Sequence, residues 1–179
     1  KVLNDPSKSV VAKRIKRSEG YIFQMLYRVH KYLTLLTTGK LINFGNYSCL
    51  TKSDIIKMSN KASLWSSYSG TFKKNIGSYN EVSSIRGMRY FGPSQMSLFK
   101  LLIHSFSIIA VFKYRVFIYS VIYLVLLHYL GFLTKFNFLF FQILIILYNI
   151  FVFIVSFREN EKELERSQLD IVSEEKLTH

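Results

Sequence analysis

Cysteine and histidine are scarce in this sequence, and their spacing indicates neither an intramolecular disulfide nor a zinc site. The single cysteine, Cys49, has no partner for an intramolecular disulfide and lies in no metal-ligand pattern, so we interpret it as a reduced cytosolic thiol. The histidines are far apart and form no His-x-x-x-His pair, which offers no zinc site: they are His30, His104, His128 and His179. A P-loop, a dinucleotide-binding glycine pattern and a Gly-x-Ser-x-Gly motif are also missing. The sequence therefore gives no support for the enzyme classes that those motifs mark.

Charged residues are absent from two long apolar stretches, 116–133 and 136–157. A helix that crosses a bilayer needs about 20 apolar residues. The second stretch meets this length, and the first meets it with a flanking residue at its end. A pair of buried core helices is the alternative, but two such stretches in tandem favour the membrane. Because only Thr134 and Lys135 separate them, we expect a tight transmembrane hairpin whose outer ends face the same side.

Acidic residues are few before the hairpin. Residues 1–115 hold 19 Lys and Arg against 4 Asp and Glu, whereas the tail from Arg158 holds 4 against 7. Positively charged flanks stay in the cytoplasm. We therefore expect both termini to be cytoplasmic, with Lys135 on the far side. The first twenty residues are polar and basic, and they do not resemble a signal peptide.

The segment before the hairpin has the pattern of a mixed α/β domain. Apolar residues predict a strand at 9–13, and apolar positions three and four residues apart predict a helix from Ile22 to Leu36 that ends at Gly39. A β-leaning stretch follows at 40–50, with a turn at Gly45 and Asn46. Further predictions are helices at 53–58 and 62–74 and a strand at 78–85.

The segment Ser97–Lys113 reads as an amphipathic helix with a narrow polar stripe. Its position directly before a spanning segment favours a place in the membrane interface. The alternative is an ordinary core helix of the preceding domain. In the tail, the spacing of Glu159 with Lys162 and of Glu163 with Arg166 is suited to ion pairs on a helix surface.

Three polar clusters precede the hairpin. They are the basic run Lys13, Arg14, Lys16 and Arg17; the pair Gly45 and Asn46; and the group Arg86, Arg89, Gly92 and Ser94. Arginine suits phosphate oxygens, and glycine lets the backbone approach a ligand. The common partner would be a phosphate at the cytoplasmic membrane face. The alternative is that these cations only meet anionic lipid and fix the topology. No nucleic-acid-binding motif appears, so nucleic acid is not an expected partner.

Two long segments carry a family resemblance. The stretch "VVAKRIKRSEGYIFQMLYRVHKYLTLLTTGKLINFGNYSCL" and the stretch "MRYFGPSQMSLFKLLIHSFSIIAVF", followed by a hairpin, resemble membrane-anchored family-two glycosyltransferases. The nearest types are the dolichol-phosphate-mannose-synthase-like and bacterial polyprenyl-phosphate glycosyltransferases. Arg89, Gly92, Ser94 and Met96 match the family's juxtamembrane arrangement, and the resemblance runs over residues 9–157. It departs at Asn46, where relatives have an aspartate, and at Gln95, where a lysine is common.

The resemblance implies a GT-A fold and an inverting sugar transfer from a nucleotide-sugar to a polyprenyl phosphate, in cell-envelope glycan synthesis at the bacterial inner membrane. It implies a partial α/β GT-A domain at 1–96, an interfacial helix at 97–115, a transmembrane hairpin at 116–157 and a charged cytoplasmic tail at 158–179. It places the acceptor and donor phosphates near Arg14, Lys16, Arg17, Arg86, Arg89 and Ser94, with Gly45 and Asn46 in an active-site loop.

The family's nucleotide-binding half and its Asp-x-Asp metal motif have no counterpart in this sequence. We therefore expect the chain to be the carboxy-terminal portion of such an enzyme, inactive alone. Its expected partners are lipid and either an amino-terminal GT-A half or further copies of itself. The divalent metal, Mg²⁺ or Mn²⁺, is expected only in the intact family. The alternative is a non-catalytic membrane protein that binds anionic lipid or a partner subunit.

Overall fold

The computed structural model describes residues 7–16, 20–85 and 97–169. Their elements, in chain order, are β1 (Val10–Lys16), α1 (Tyr21–Thr38), β2 (Phe44–Cys49), α2 (Lys52–Ser59), α3 (Ser63–Ser66), α4 (Tyr68–Asn75), β3 (Asn80–Ile85), α5 (Leu98–Ala110), α6 (Lys113–Thr134), α7 (Leu139–Ser156) and α8 (Glu161–Leu169). A small mixed sheet and its helices therefore precede two long apolar helices. The mixed α/β expectation is confirmed at this level.

The sheet has the strand order β2-β1-β3, with β1 antiparallel to β2 and parallel to β3. The central strand β1 contains the apolar residues of the strand predicted at 9–13, and it is hydrogen-bonded to a neighbour at each edge. Between the pairs Val11–Ser48 and Lys13–Phe44, three residues of β2 stand opposite one residue of β1. This irregularity is a bulge, and it contains Gly45 and Asn46. The pair predicted as a turn thus lies inside a strand.

Helix boundaries follow local capping chemistry. Gly39 adopts a left-handed conformation (φ 65°) and its N–H donates to the Leu35 carbonyl, which ends α1 where the sequence predicts. The single helix predicted for 62–74 is instead two helices. Ser67 is extended there (φ −160°, ψ 121°), and its hydroxyl accepts from the Gly70 N–H to begin α4.

The core of the sheet domain is aromatic. Phe72 of α4 is fully buried, with its ring 5.4 Å from that of Phe44 and 5.1 Å from that of Tyr79, both edge to face. Val11 of β1 and Met58 of α2 complete this cluster, which also reaches the end of α5 at Ile108, Val111 and Phe112. The end of α5 therefore belongs to the core, whereas Leu98, Phe99 and Leu102 at its start are exposed. The core interpretation is thus confirmed for the end of this helix, and the interfacial position of its start stays a prediction.

The helices α6 and α7 are long and apolar enough to cross a membrane. At 1.5 Å per residue they measure about 33 and about 27 Å, close to the ~30 Å hydrocarbon core. Most of their side chains are exposed in the isolated chain. Lys135, in a left-handed conformation (φ 59°), ends α6 and lets the chain return. The predicted helical hairpin is confirmed as a pair of packed helices.

A second apolar cluster joins the hairpin to the domain. Ile109 and Ala110 of α5 pack with Val116 of α6 and with Val152 and Val155 of α7. All five side chains are buried. The hairpin is therefore fixed to the sheet domain at the end where α6 starts and α7 finishes.

Candidate functional site: the basic edge of the sheet and the base of the hairpin

Lys13, Arg14 and Lys16 of the predicted basic run lie within β1 rather than after it. Lys13 and Arg14 are adjacent, so their side chains leave opposite faces of the sheet. On one face the Lys13 ammonium lies 2.8 Å from the Glu81 carboxylate of β3. This hydrogen bond and the carboxylate charge raise the pKa of Lys13. Lys13 is thus already paired, and it does not offer a free cation to a ligand.

On the other face, Arg14 approaches the β2 bulge. A Cβ atom placed on Gly45 would lie 2.7 Å from a guanidinium nitrogen of Arg14, closer than real side chains allow. Because Gly45 has no side chain, the Arg14 guanidinium can lie directly over the backbone at this position. Asn46, next in the bulge, is exposed. The structure brings together two of the predicted site positions, Arg14 and Gly45, that are 31 residues apart in sequence.

Most of the remaining predicted site residues lie outside the described part of the chain. These are Arg17, Arg86, Arg89, Gly92 and Ser94; for Lys16 only the backbone is described. The sheet register nevertheless pairs Lys16 with Ile85, at the carboxyl ends of the parallel strands β1 and β3. These are the residues directly before Arg17 and Arg86. Ligands of open α/β sheets bind at such carboxyl ends.

A second basic cluster at the base of the hairpin does not appear in the sequence analysis. The Lys113 ammonium at the start of α6 lies 2.9 Å from the Glu159 carboxylate just after α7. Lys74 of α4 donates to the Val111 carbonyl at 2.8 Å. Burial lowers the pKa of Lys74, with Lys113, Lys61 and Arg115 acting in the same direction and Glu159 against them. Several cations and one carboxylate therefore lie close enough to Lys74 to affect its pKa, where a spanning hairpin would meet lipid head groups.

Sequence spacing assigned Glu159 to the wrong partner. It pairs with Lys113, 46 residues away, rather than with Lys162 of α8. The available signal was topological, because the two ends of an antiparallel hairpin must lie side by side. Arg158, its neighbour, donates to the Ser107 hydroxyl at 3.0 Å and ties the same end to α5.

An apolar groove runs between α6 and α7 near this base. Its volume is about 430 Å³, and its lining includes Phe117, Leu124, Ile150 and Phe157. Phe117 lies one helical turn after Lys113. The groove is open along its side and large enough for a segment of an acyl or isoprenoid chain.

The described residues do not fit a divalent metal. In residues 7–16, 20–85 and 97–169, no three His, Cys, Asp or Glu side chains come together. Three of the carboxylates form an ion pair with a lysine instead: Asp54 with Lys57, Glu81 with Lys13 and Glu159 with Lys113. We therefore assign no chemical step through a metal to these side chains.

Comparisons with protein-family models, with curated proteins and with solved structures give no match to this chain.

Proposed function

We propose that this chain is the membrane-proximal part of a transferase that moves a sugar from a nucleotide-sugar to a polyprenyl phosphate. The proposal rests on the family resemblance of the sequence. Its strongest structural support is the position of Arg14 over Gly45 at the edge of a parallel strand pair. Lys16 and Ile85 are paired at that edge, and they directly precede Arg17 and Arg86 in the sequence.

The reaction class assigns a limited task to this chain. An oxygen of the acceptor phosphate attacks the anomeric carbon, the bond from that carbon to the donor phosphate breaks, and a nucleoside diphosphate leaves with inversion. A phosphate monoester carries about −1.5 to −2 charges at pH 7, so the acceptor is ionised without a protein base. The residues of this chain would hold that phosphate. Arg14, with its planar donors, suits this role.

The membrane position of the hairpin is part of the proposal. Both termini would be cytoplasmic because of the charge asymmetry, and the polyprenyl tail would remain in lipid beside the groove of α6 and α7. The nucleotide-binding half would come from elsewhere, so the chain alone would bind the acceptor without turning it over. Turnover of a nucleotide-sugar by the purified chain would contradict this.

Acceptor binding gives a direct test. The chain is placed in lipid nanodiscs, and binding of a short polyprenyl phosphate is compared with that of the matching uncharged polyprenol. A charge-assisted hydrogen bond contributes about 1.5–3 kcal/mol, and each 1.4 kcal/mol is tenfold in affinity. Arg14→Gln should therefore weaken phosphate binding by about 10- to 100-fold. Arg166→Gln, which removes an equal charge from an exposed site on α8, is the control.

The results separate the possibilities. If both arginine variants lose the same affinity, Arg14 acts only through its general charge and not as a specific phosphate ligand. Equal binding of polyprenyl phosphate and polyprenol would refute phosphate recognition.

A second candidate function is general binding of anionic lipid, and the cluster at the base of the hairpin favours it. Lys113 pairs with Glu159 there, and the charge of Lys74 interacts with those of Glu159, Lys113 and Arg115. This function predicts that Lys74→Gln weakens binding to phosphatidylglycerol more than Arg14→Gln does. The transferase proposal predicts the reverse order for polyprenyl phosphate.

A further inference from the structure

The helix α1 carries an apolar stripe that the chain leaves uncovered. Its members fall within about 100° of the helix circumference and are between 49% and 78% exposed: Tyr21, Ile22, Met25, Val29, Tyr32 and Leu36. The sequence predicts this helix as part of a mixed α/β domain, where such a stripe would face the sheet. Side chains of the opposite face are buried instead, including Thr34 and Thr38. A contiguous exposed stripe of this kind marks a surface that meets lipid or another protein.

The last turn of α1 lies against the middle of the hairpin. The Tyr123 hydroxyl of α6 donates to the Leu36 carbonyl at 2.9 Å, and the Tyr148 hydroxyl of α7 donates to the Thr37 hydroxyl at 3.1 Å. The Tyr119 hydroxyl lies 2.8 Å from the place of a Cβ on Gly39. Contacts to both hairpin helices thus fix the position of this turn.

The depth of this turn follows from helix geometry. Tyr123 is ten residues beyond Lys113, and Tyr148 is eight residues before Ser156. At 1.5 Å per residue these distances along the two helices are about 15 and about 12 Å. If the hairpin fills a hydrocarbon core of about 30 Å, the end of α1 lies near its middle. Leu33, one turn earlier, packs on the cluster at the base of the hairpin, so the helix descends towards its carboxyl end.

The polar groups of this turn are arranged for an apolar surrounding. The hydroxyls of Thr34, Thr37 and Thr38 each donate to the carbonyl four residues earlier, at 2.8, 2.8 and 2.6 Å. From Tyr32 to Gly39 no side chain is charged. The cations of the helix, Arg28 and Lys31, come earlier, about 12 and about 7.5 Å before Leu36 along the axis. Within the helix itself, the charged residues thus lie nearer the surface and the uncharged residues lie deeper, as in a bilayer.

We propose that α1 is a third membrane-embedded helix. It enters the lipid from the cytoplasmic side and ends near the bilayer centre against Tyr123 and Tyr148. The stripe faces hydrocarbon from Val29 to Leu36 and lies nearer the surface at Tyr21 and Ile22. Lys40, just after Gly39, marks the point where the chain turns back towards β2. Lipid is the occupant because the last turn of α1 lies against the hairpin, whose own exposed side chains are mostly apolar. This inference rests on the proposed membrane location of α6 and α7.

Nitroxide labels measure this depth residue by residue. Cys49→Ser removes the native thiol, and single cysteines are then introduced at Val29 and Leu36 on α1. Val125 of α6 serves as the membrane reference and Ile56 of α2 as the water reference; the side chains at these two positions are 64% and 59% exposed. The chain is reconstituted in vesicles of phosphatidylcholine and phosphatidylglycerol. Collision of each label with oxygen and with a water-soluble nickel complex is then compared.

The expected result is a ratio of oxygen to nickel accessibility at Val29 and Leu36 that is several-fold above that at Ile56, with Leu36 the deeper and close to Val125. Nickel accessibility at α1 equal to that at Ile56, with Val125 still in lipid, would overturn the inference and leave the membrane proposal standing. Nickel accessibility at Val125 would overturn both. Protection of Val29 from both reagents would mean that protein covers the stripe, which also overturns the inference.

A second measurement avoids labels. Val29→Trp is made in a Trp65→Phe background, so that one tryptophan reports on α1. Lipids brominated on the acyl chain should quench its fluorescence strongly, whereas the native Trp65 of α3 in the unmodified chain should be quenched weakly. Equal weak quenching would refute the embedded position.

Discussion

The buried carboxylate of Asp54 makes one stability prediction that can be worked out in detail. Asp54 lies in the first turn of α2 and is 6% exposed. One of its oxygens accepts from the Ser9 hydroxyl at 2.6 Å, and the other lies 3.1 Å from the Lys57 ammonium. Ser9 in turn accepts from the Thr51 N–H at 3.0 Å. This network fixes the start of β1 to the start of α2.

Replacement of Asp54 by alanine should destabilise the sheet domain by about 2–3 kcal/mol. The Ser9 hydroxyl hydrogen would lose its acceptor in a buried site, and an unsatisfied buried donor costs about 1–3 kcal/mol. The ion pair adds little, because Lys57 is largely exposed and such pairs contribute about 0–1 kcal/mol. Asp54→Asn, which keeps an acceptor, should cost less than Asp54→Ala. Lys57→Ala should cost below about 1 kcal/mol.

Urea titration in detergent, followed by the fluorescence of the single tryptophan Trp65 in the same domain, measures these differences. The order Ala, Asn, then the lysine variant is the expected order of loss. If Lys57→Ala costs as much as Asp54→Ala, the ion pair dominates and the argument from the Ser9 hydrogen bond is wrong. If Ser9→Ala abolishes the effect of Asp54→Ala, the coupling is confirmed.

The same group gives a pH dependence with a defined sign. The Ser9 hydrogen bond, together with Lys57, lowers the pKa of Asp54 below its ordinary value. A carboxylate with a lowered folded pKa contributes its stability above the unfolded value of about 3.9, and loses it as the pH falls through the folded pKa. The stability gap between the wild-type chain and Asp54→Asn should therefore close on acidification below about pH 4. A gap that stays constant to pH 2 would contradict it.

Three other predictions concern the site, the core and the hairpin. Gly45→Val should displace the Arg14 guanidinium, since even a Cβ would lie 2.7 Å from it, and nanodisc binding of polyprenyl phosphate should fall as in Arg14→Gln while circular dichroism stays unchanged. Phe72→Ala should cost about 3–5 kcal/mol in the urea titration because a fully buried ring is lost; a loss below 1 kcal/mol would refute its central role. Glu159→Gln should weaken the contact to Lys113 and raise amide hydrogen exchange at the start of α6, with Glu163→Gln on α8 as the control; equal exchange in both variants would dismiss the ion pair.

The sequence predicts the local elements well because their signals are local. Periodic apolar residues and Gly39 define α1, and two uncharged stretches define α6 and α7. The break at Ser67 was missed because its cause, an extended residue whose hydroxyl caps the next helix, depends on one backbone conformation. The bulge in β2 was taken for a turn because glycine and asparagine favour both.

The candidate site was predictable in part. Arg14 and Gly45 were both chosen from residue type, but their contact depends on the antiparallel register of β1 and β2, which a single sequence does not fix. The sequence does not predict the Lys113–Glu159 pair, because the three-residue spacing of Glu159 and Lys162 favours a local ion pair instead. The stripe of α1 was recognised as apolar, but its periodicity does not say which surroundings it faces.

The contacts between α1 and the hairpin also set an order of assembly. The residues that join Leu36 to Tyr123 and Thr37 to Tyr148 are separated by 87 and 111 positions along the chain. During synthesis α1 and β2 emerge long before α6 and α7, so the apolar stripe has no native neighbour for most of that time. Contacts of such long range fold slowly, because the entropy of closing the loop is lost before they form. The packing of the hairpin against α1 is then the step that completes the fold, and chains stalled before it expose a surface suited to chaperones.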